Sequence, residues 1–266
     1  MSPVGSRARR DNLIIDVGMH HGEDATRFIA GGYTVVGVEA NPALVESVSA
    51  RCAAEISDGR LAIVGSAIAT DRGTARMGIA DMSIWSSLDP QMIARNERSG
   101  SSYRYIDVPT LPFEDVLAEY GVPHYLKVDI EGYDMLCIRA LRHFAERPMF
   151  VSLESSASTN QAPMEAVFDE VAELWSLGYR RFRYLEQRHG VNAVPRRSSW
   201  EGPPWRTAWA ALAQAQMIRA NHNLGGMGGR WATTPVGRVY KRVRRAMGGR
   251  ESPWYDLHAA LAEPIG

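Results

Sequence analysis

Residues 13–28 read LIIDVGMHHGEDATRF. Leu13, Ile14 and Ile15 run into Asp16 and Val17 as a short buried strand with an acid near its end. Gly18 and Gly22 bracket a turn, and EDATRF continues with helical spacing. Strand, glycine turn and helix in that order open a doubly wound α/β sheet, in which ligands gather at the carboxyl ends of the strands. The turn is spelled D-x-G-x-x-x-G. A dinucleotide turn calls for G-x-G-x-x-G, so that backbone amides can approach a pyrophosphate. Here His20 fills the slot of the second glycine, and a pyrophosphate would meet a side chain.

The wider turn suits a phosphate-free cofactor whose amino-acid end needs backbone and carboxylate partners, which describes S-adenosylmethionine. Asp16, Gly18, His20 and Gly22 are therefore read as cofactor-binding. The second strand, TVVGVEANP, carries Glu39, 23 positions after Asp16. An acid there can accept hydrogen bonds from both ribose hydroxyls, the task of the acid about 20 residues past a dinucleotide turn. Asp16 and Glu39 also put negative charge near a sulfonium cation. The third strand, LAIVGSAIA, leaves Ser66 and Ala67 beside the adenine.

Outward from this unit, the periodicity predicts strands near 13–17, 34–38, 61–64, 125–129 and 149–154. Helices are predicted near 23–31, 42–54, 112–120, 133–145 and 163–177. Short apolar strands alternating with helices imply a mostly parallel sheet covered on both faces. GTARMGIA and YRYIDVPTL, within 71–111, read as extra strands flanking a polar loop. The expected organisation is an N-terminus over 1–11, a cofactor-binding core over 12–185, and a Trp/Arg-rich irregular elaboration of the same domain over 186–266. That last part includes a basic amphipathic helix, VGRVYKRVRRAM, and a closing strand in SPWYDLHAALA.

Thirty basic and thirty acidic side chains cancel across 266 residues, which points away from nucleic acid as the main partner. No apolar run reaches the length of a signal peptide core or a membrane span, so a cytoplasmic location is expected. Two cysteines, Cys52 and Cys137, sit in apolar helical patterns and read as packing residues.

At YLKVDIEGYDMLCIRAL, residues 125–141, the chain resembles the FkbM-type S-adenosylmethionine-dependent methyltransferases. DVGMHHG, VEANP, the K-V-D-I-E-G run at 127–132 and the strand FVSLES carry the likeness, over roughly 12–155. It implies a Rossmann-like methyltransferase sheet and methyl transfer to oxygen, often on sugar or natural-product hydroxyls. Within that family the chain is similar to the sugar O-methyltransferases of mycobacterial methylmannose polysaccharide synthesis. Many members carry a small residue and Asn where this chain has Met19 and His20, so contacts at that turn do not transfer.

Lys127, Asp129 and Glu131 alternate and share one face of a strand. Three charges closing an apolar strand line a crevice, since in mid-strand they would be costly to bury. Asp129 is the first candidate for the base that takes the acceptor's proton, and Glu154, ending the next strand, is the second carboxylate. Lys127 would orient Asp129 or stabilise a developing alkoxide. A magnesium ion held by Asp129 and Glu154 would serve the same end by lowering the hydroxyl pKa. His20 and His21 lie where cofactor meets acceptor. His21 is a candidate base, and His20 is read as a cofactor or helix-cap contact.

Trp200, Trp205, Trp209 and Trp231, with Arg196, Arg197 and Arg206, suit a carbohydrate acceptor, because indoles stack on sugar faces and arginines bind ring hydroxyls. SIWSS, residues 83–87, is a further candidate wall. The leading expectation is an O-methyltransferase acting on a carbohydrate, an oligosaccharide or polysaccharide precursor. A polyketide or peptide hydroxyl is the alternative acceptor. A nicotinamide-dependent oxidoreductase and a non-catalytic binding protein are the alternatives of other classes. A homodimer is one of the assemblies left open.

Overall fold

The computed structural model describes residues 8–81, 86–98, 100–130, 132–158, 162–186, 205–226 and 255–261. They fall into two units, one running to Leu153 and the other beginning at Glu154.

In chain order the first unit contains β1 (Arg10–Val17), α1 (Glu23–Ala30), β2 (Thr34–Val38), α2 (Pro42–Arg51), α3 (Ala53–Ser57) and β3 (Leu61–Val64). There follow β4 (Ala67–Ile68), β5 (Gly73–Ala80), α4 (Pro90–Arg98), β6 (Tyr103–Leu111) and α5 (Phe113–Tyr120). It closes with β7 (Pro123–Val128), α6 (Asp134–Ala140) and β8 (Phe150–Glu154), whose last residue opens the second unit.

Strands β3-β2-β1-β7-β8 lie side by side in that order, each pair parallel. From β1 the chain winds outward to β2 and β3, then returns to β7 on the other side. The direction of winding thus reverses between β1 and β7, and the crevice beyond their carboxyl ends is where such sheets bind ligands. Leu13, Ile14, Ile15 and Val17 are fully buried, as expected of a central parallel strand. Ile14, Phe28, Ile29, Tyr33, Val35 and Tyr125 share one apolar cluster, with Phe28 set edge-on to Tyr125. This packing seats α1 on the sheet and so fixes the turn before it.

Several boundaries differ from expectation for local reasons. β1 starts at Arg10, whose N–H donates to the Val122 carbonyl at 2.8 Å. The helix expected over 42–54 divides at Cys52, where φ is −104° and ψ 28°. The helix expected over 133–145 ends at Ala140 and gives way to a 3-10 turn, Leu141–His143. GTARMGIA and YRYIDVPTL do form strands, β5 and β6, paired antiparallel, and β4 joins β6 to complete a separate three-stranded sheet. The loop expected between them contains α4. Cys52 and Cys137 are buried free thiols.

The second unit contains α7 (Met164–Ser176), β9 (Tyr179–Glu186), α8 (Ala208–Gly226) and β10 (Tyr255–Leu261), with β9 and β10 antiparallel. The closing strand was expected, whereas β9 and the helix α8, within the elaboration expected over 186–266, were not. Glu170, buried on α7, accepts from Ser155 Oγ at 2.7 Å and from the Ser156 N–H at 2.7 Å, which pins the chain just after Glu154. Trp200, Trp231, Arg196, Arg197 and the 236–247 helix lie outside the described residues. Among the described residues no helix is long and apolar enough to cross a membrane.

Candidate active site

The turn after β1 is built around two close approaches. Gly18 has φ 83°, and a Cβ there would lie 1.9 Å from the Asp129 carbonyl oxygen. Only glycine fits, because the loop after β7 runs directly against it. Met19 turns inward instead: a Cβ on Gly37 would lie 2.1 Å from its Sδ, so the thioether fills the space above that glycine. The Gly18 and Met19 amides both donate to the Val38 carbonyl, at 2.9 and 3.1 Å. These bonds tie the turn to the end of β2.

His20 has φ 54°, the one positive value outside glycine among the described residues. That left-handed backbone points its N–H at Glu39 Oε2, 2.9 Å away. The other oxygen, Oε1, accepts from the Asn41 N–H at 2.8 Å. Glu39 is buried, which raises its pKa, and the backbone donors oppose that rise. A carboxylate has about four acceptor sites, so each oxygen keeps room for a second donor. The His20 pKa is lowered by burial and by neighbouring His21, whose ring lies edge-on 4.2 Å away. The His21 side chain is exposed, and its carbonyl accepts from Arg51. Gly22, φ 73°, closes the turn by donating to the Met19 carbonyl at 2.9 Å and starts α1.

Beside the turn stands a charge cluster. Asp16 and Lys127 are register partners on β1 and β7, and Lys127 Nζ lies 3.1 Å from Asp16 Oδ1. The same Nζ is 3.6 Å from Asp24 Oδ2 and 4.0 Å from Asp129 Oδ2. Burial alone would lower the lysine pKa, but Asp16, Asp129 and Asp24 together hold it well above its usual value, so the ammonium is permanent. Asp16 is fully buried, and burial raises it to about 6 against the pull of Lys127. Its Oδ2 has no hydrogen-bond partner among the described residues. Asp129 is the accessible member, with its side chain 33% exposed. Asp134, in the first turn of α6, is pushed to about 7 by burial and then by Asp129, and its Oδ2 accepts weakly from the Gly132 N–H at 3.4 Å.

The family model for the FkbM methyltransferase domain matches residues 16–181, a span that includes the turn, Glu39 and the whole charge cluster. The chain belongs to the FkbM methyltransferase family. No curated protein sequence matches it. Among solved structures it is similar to precorrin-6Y C5,15-methyltransferase of Geobacter metallireducens, at 10% identity and TM-score 0.37 over 96% of this chain and 82% of that one. The C-terminal domain of precorrin-6Y C5,15-methyltransferase from Rhodobacter capsulatus gives 12% and 0.38 over 72% and 75%. A phosphoethanolamine N-methyltransferase of Haemonchus contortus, solved with S-adenosylhomocysteine, gives 10% and 0.39 over 97% and 50%.

FkbM membership implies S-adenosylmethionine as methyl donor, and this site fits it. The turn after β1 offers backbone, Glu39 is oriented with acceptor sites to spare, and Asp16 Oδ2 is a buried acceptor without a partner among the described residues. Of the residues expected from sequence, Asp16, Lys127 and Asp129 come together, as do Gly18, His20, Gly22 and Glu39. Ser66 precedes β4 and its N–H donates to the Val64 carbonyl, while Ala67 joins the core of the small sheet with Met77 and Val108. Glu154 ends β8 as expected, and Glu131 lies outside the described residues. Among the described residues no group of three or more His, Cys, Asp or Glu side chains is gathered to hold a metal ion, so the donor set gives no support to magnesium.

Asp24 and Asp134 were not anticipated. Asp24 offered only an acid in the first turn of a helix, a feature most helices share. Asp134 could have been found from its place two residues after the K-V-D-I-E-G run.

Proposed function

We propose that this methyltransferase carries a methyl group from S-adenosylmethionine to a hydroxyl oxygen of a carbohydrate, an oligosaccharide or polysaccharide precursor. The observation that carries the reading is the arrangement of Lys127, held by fully buried Asp16 and partly buried Asp24, beside the more exposed Asp129 at the carboxyl end of β7. In the transfer the acceptor oxygen bonds the methyl carbon as the carbon–sulfur bond breaks. That electron pair stays on sulfur, and the hydroxyl proton passes to a base.

Asp129 is that base in this reading, and Lys127 positions it without giving up a proton. Glu39 accepts from the ribose hydroxyls, with Ser66 and Ala67 alongside the adenine. His20 acts through its backbone, and His21, exposed and next to it, remains the second candidate base. Glu154 remains the second carboxylate.

The test joins calorimetry to product analysis. S-adenosylhomocysteine should bind and NADH should not, and mass detection should show a gain of one methyl on an oligosaccharide hydroxyl. Tight NADH binding with no heat from S-adenosylhomocysteine would end the reading, as would methylation confined to nitrogen or carbon.

A further inference from the structure

Lys127 is one cation shared among three carboxylates, and they do not hold it equally. Its Nζ lies 3.1 Å from Asp16 Oδ1, 3.6 Å from Asp24 Oδ2 and 4.0 Å from Asp129 Oδ2. The ammonium thus stands furthest from the accessible acid of the cluster. Asp16 is the register partner of Lys127, so its hold follows from the pairing of β1 with β7. Asp24 comes from a different element, and sheet pairing does not account for it.

Asp24 lies in the first turn of α1. That turn is anchored on the glycine that closes the cofactor turn: the Thr26 N–H and Oγ1 both donate to the Gly22 carbonyl, at 2.9 and 2.8 Å. Ala25, Phe28 and Ile29 bury the helix in the apolar cluster of the sheet. Asp24 Oδ1 accepts from Arg27 Nη1 at 3.0 Å, while Oδ2 faces Lys127. One carboxylate therefore stands between two cations, a lysine side chain 11% exposed and an arginine 35% exposed. Among the described residues, the charged and titratable groups that act on Asp129 are Lys127 on its own strand, Asp16 on β1, His20 in the turn and Asp134 on α6. Asp24 and Arg27 reach it from α1 through Lys127.

We propose that Asp24 is a positioning residue for the methyl-transfer base: it draws the Lys127 ammonium toward α1, so that Asp129 stays basic enough to take the acceptor's proton. The inference rests on Asp129 as the base in the function proposed above. No bond forms at Asp24 and no proton passes through it. A carboxylate paired closely with an ammonium holds its charge and is a weaker base. Asp24 opposes that pairing, and Arg27, by competing for Asp24, limits how strongly it does so.

The two residues therefore predict shifts of opposite sign. Carboxyl NMR of the full-length protein bound to S-adenosylhomocysteine reads them without any acceptor, the Asp129 signal being assigned by its loss in Asp129→Asn. In Asp24→Asn the Asp129 titration midpoint should fall by about half a pH unit or more, since a neighbouring charge moves a carboxyl by roughly 1–3 units at close range and Asp24 acts mainly through Lys127. In Arg27→Met it should rise, by less, because the arginine is better solvated. With a hydroxyl acceptor, kcat of Asp24→Asn should fall about fivefold, part of the hundredfold or more that a general base supplies, while acceptor KM holds. Asp24 at the start of α1 and Arg27 near its end also suit the helix dipole. That role would lower the stability of both variants without moving the midpoints apart. Midpoints that stay put, or move the same way, overturn this inference and leave the base role of Asp129 standing. An Asp129→Asn enzyme that turns over as fast as wild type removes the base, and this inference with it.

Discussion

His20 donates its backbone N–H to Glu39 Oε2 from a left-handed conformation that its own side chain disfavours. The strain is the cost of orienting the acid that ends β2. A left-handed non-glycine residue costs on the order of 1 kcal/mol. His20→Gly should therefore raise stability by about 1 kcal/mol in urea unfolding with S-adenosylhomocysteine affinity retained, whereas His20→Ala should give no such gain. Turnover of either variant far below wild type at saturating cofactor would show that the imidazole takes part in the chemistry.

Glu39→Ala removes the partner of two backbone amides and, in the function proposed above, the group that accepts from the ribose hydroxyls. Affinity for S-adenosylhomocysteine should drop about a hundredfold, on the scale of two hydrogen bonds to a charged group. Calorimetry reads this directly, and a variant that binds as well as wild type would take Glu39 out of the donor site.

Lys127→Met leaves Asp16 fully buried beside Asp24 with its cation gone. Removing one partner of a buried pair costs about 3–5 kcal/mol, because the remaining charge is stranded. The double variant Asp16→Asn/Lys127→Met should regain much of that loss in denaturant melts. Additive losses in the double variant would contradict the pairing.

Gly18→Ala places a methyl group onto the Asp129 carbonyl and forces a positive φ on alanine. Destabilisation of at least about 2 kcal/mol is expected, together with loss of donor binding. A variant as stable as wild type would mean that the β7 loop stands further from the turn than described.

Asp134 makes stability depend on pH in a defined direction. Its folded pKa is about 7 against an ordinary 3.8, so the folded state holds the proton more tightly. The advantage is complete at low pH and is lost as pH rises from about 4 through about 7, at most on the order of 4 kcal/mol. Asp134→Asn cannot ionise, so its melting temperature relative to wild type should improve between pH 5 and pH 8. A constant difference across that range would contradict the assignment.

The parallel sheet was legible because its strands are short apolar runs that end in charged residues, and β2 and β3 fall where expected. β9 was hidden by Arg180, Arg181 and Arg183, which look incompatible with a strand. In the structure Arg183 is buried opposite His258 with its guanidinium over the Trp205 ring at 4.3 Å. α8 was masked by its flanking tryptophan and glycine, although its alanine, leucine and glutamine content favours helix. At the site, Asp16, Lys127 and Asp129 stood out as charges closing apolar strands. Asp24 did not, since an acid in the first turn of a helix gives no local sign that it will lie 3.6 Å from Lys127 Nζ. Such contacts arise only when the sheets assemble.

The Asp16–Lys127 pairing also bears on how the chain avoids folding wrongly. Around the pair, β1 contributes Ile14, Ile15 and Val17 and β7 contributes Tyr125, Leu126 and Val128, apolar contacts that mark register less sharply than a pair of opposite charges does. A slip of one residue would set Lys127 against Ile15 or Val17 and strand two opposite charges in a dry interior. The pair therefore works as a register lock during assembly, penalising each misaligned sheet before any ligand arrives.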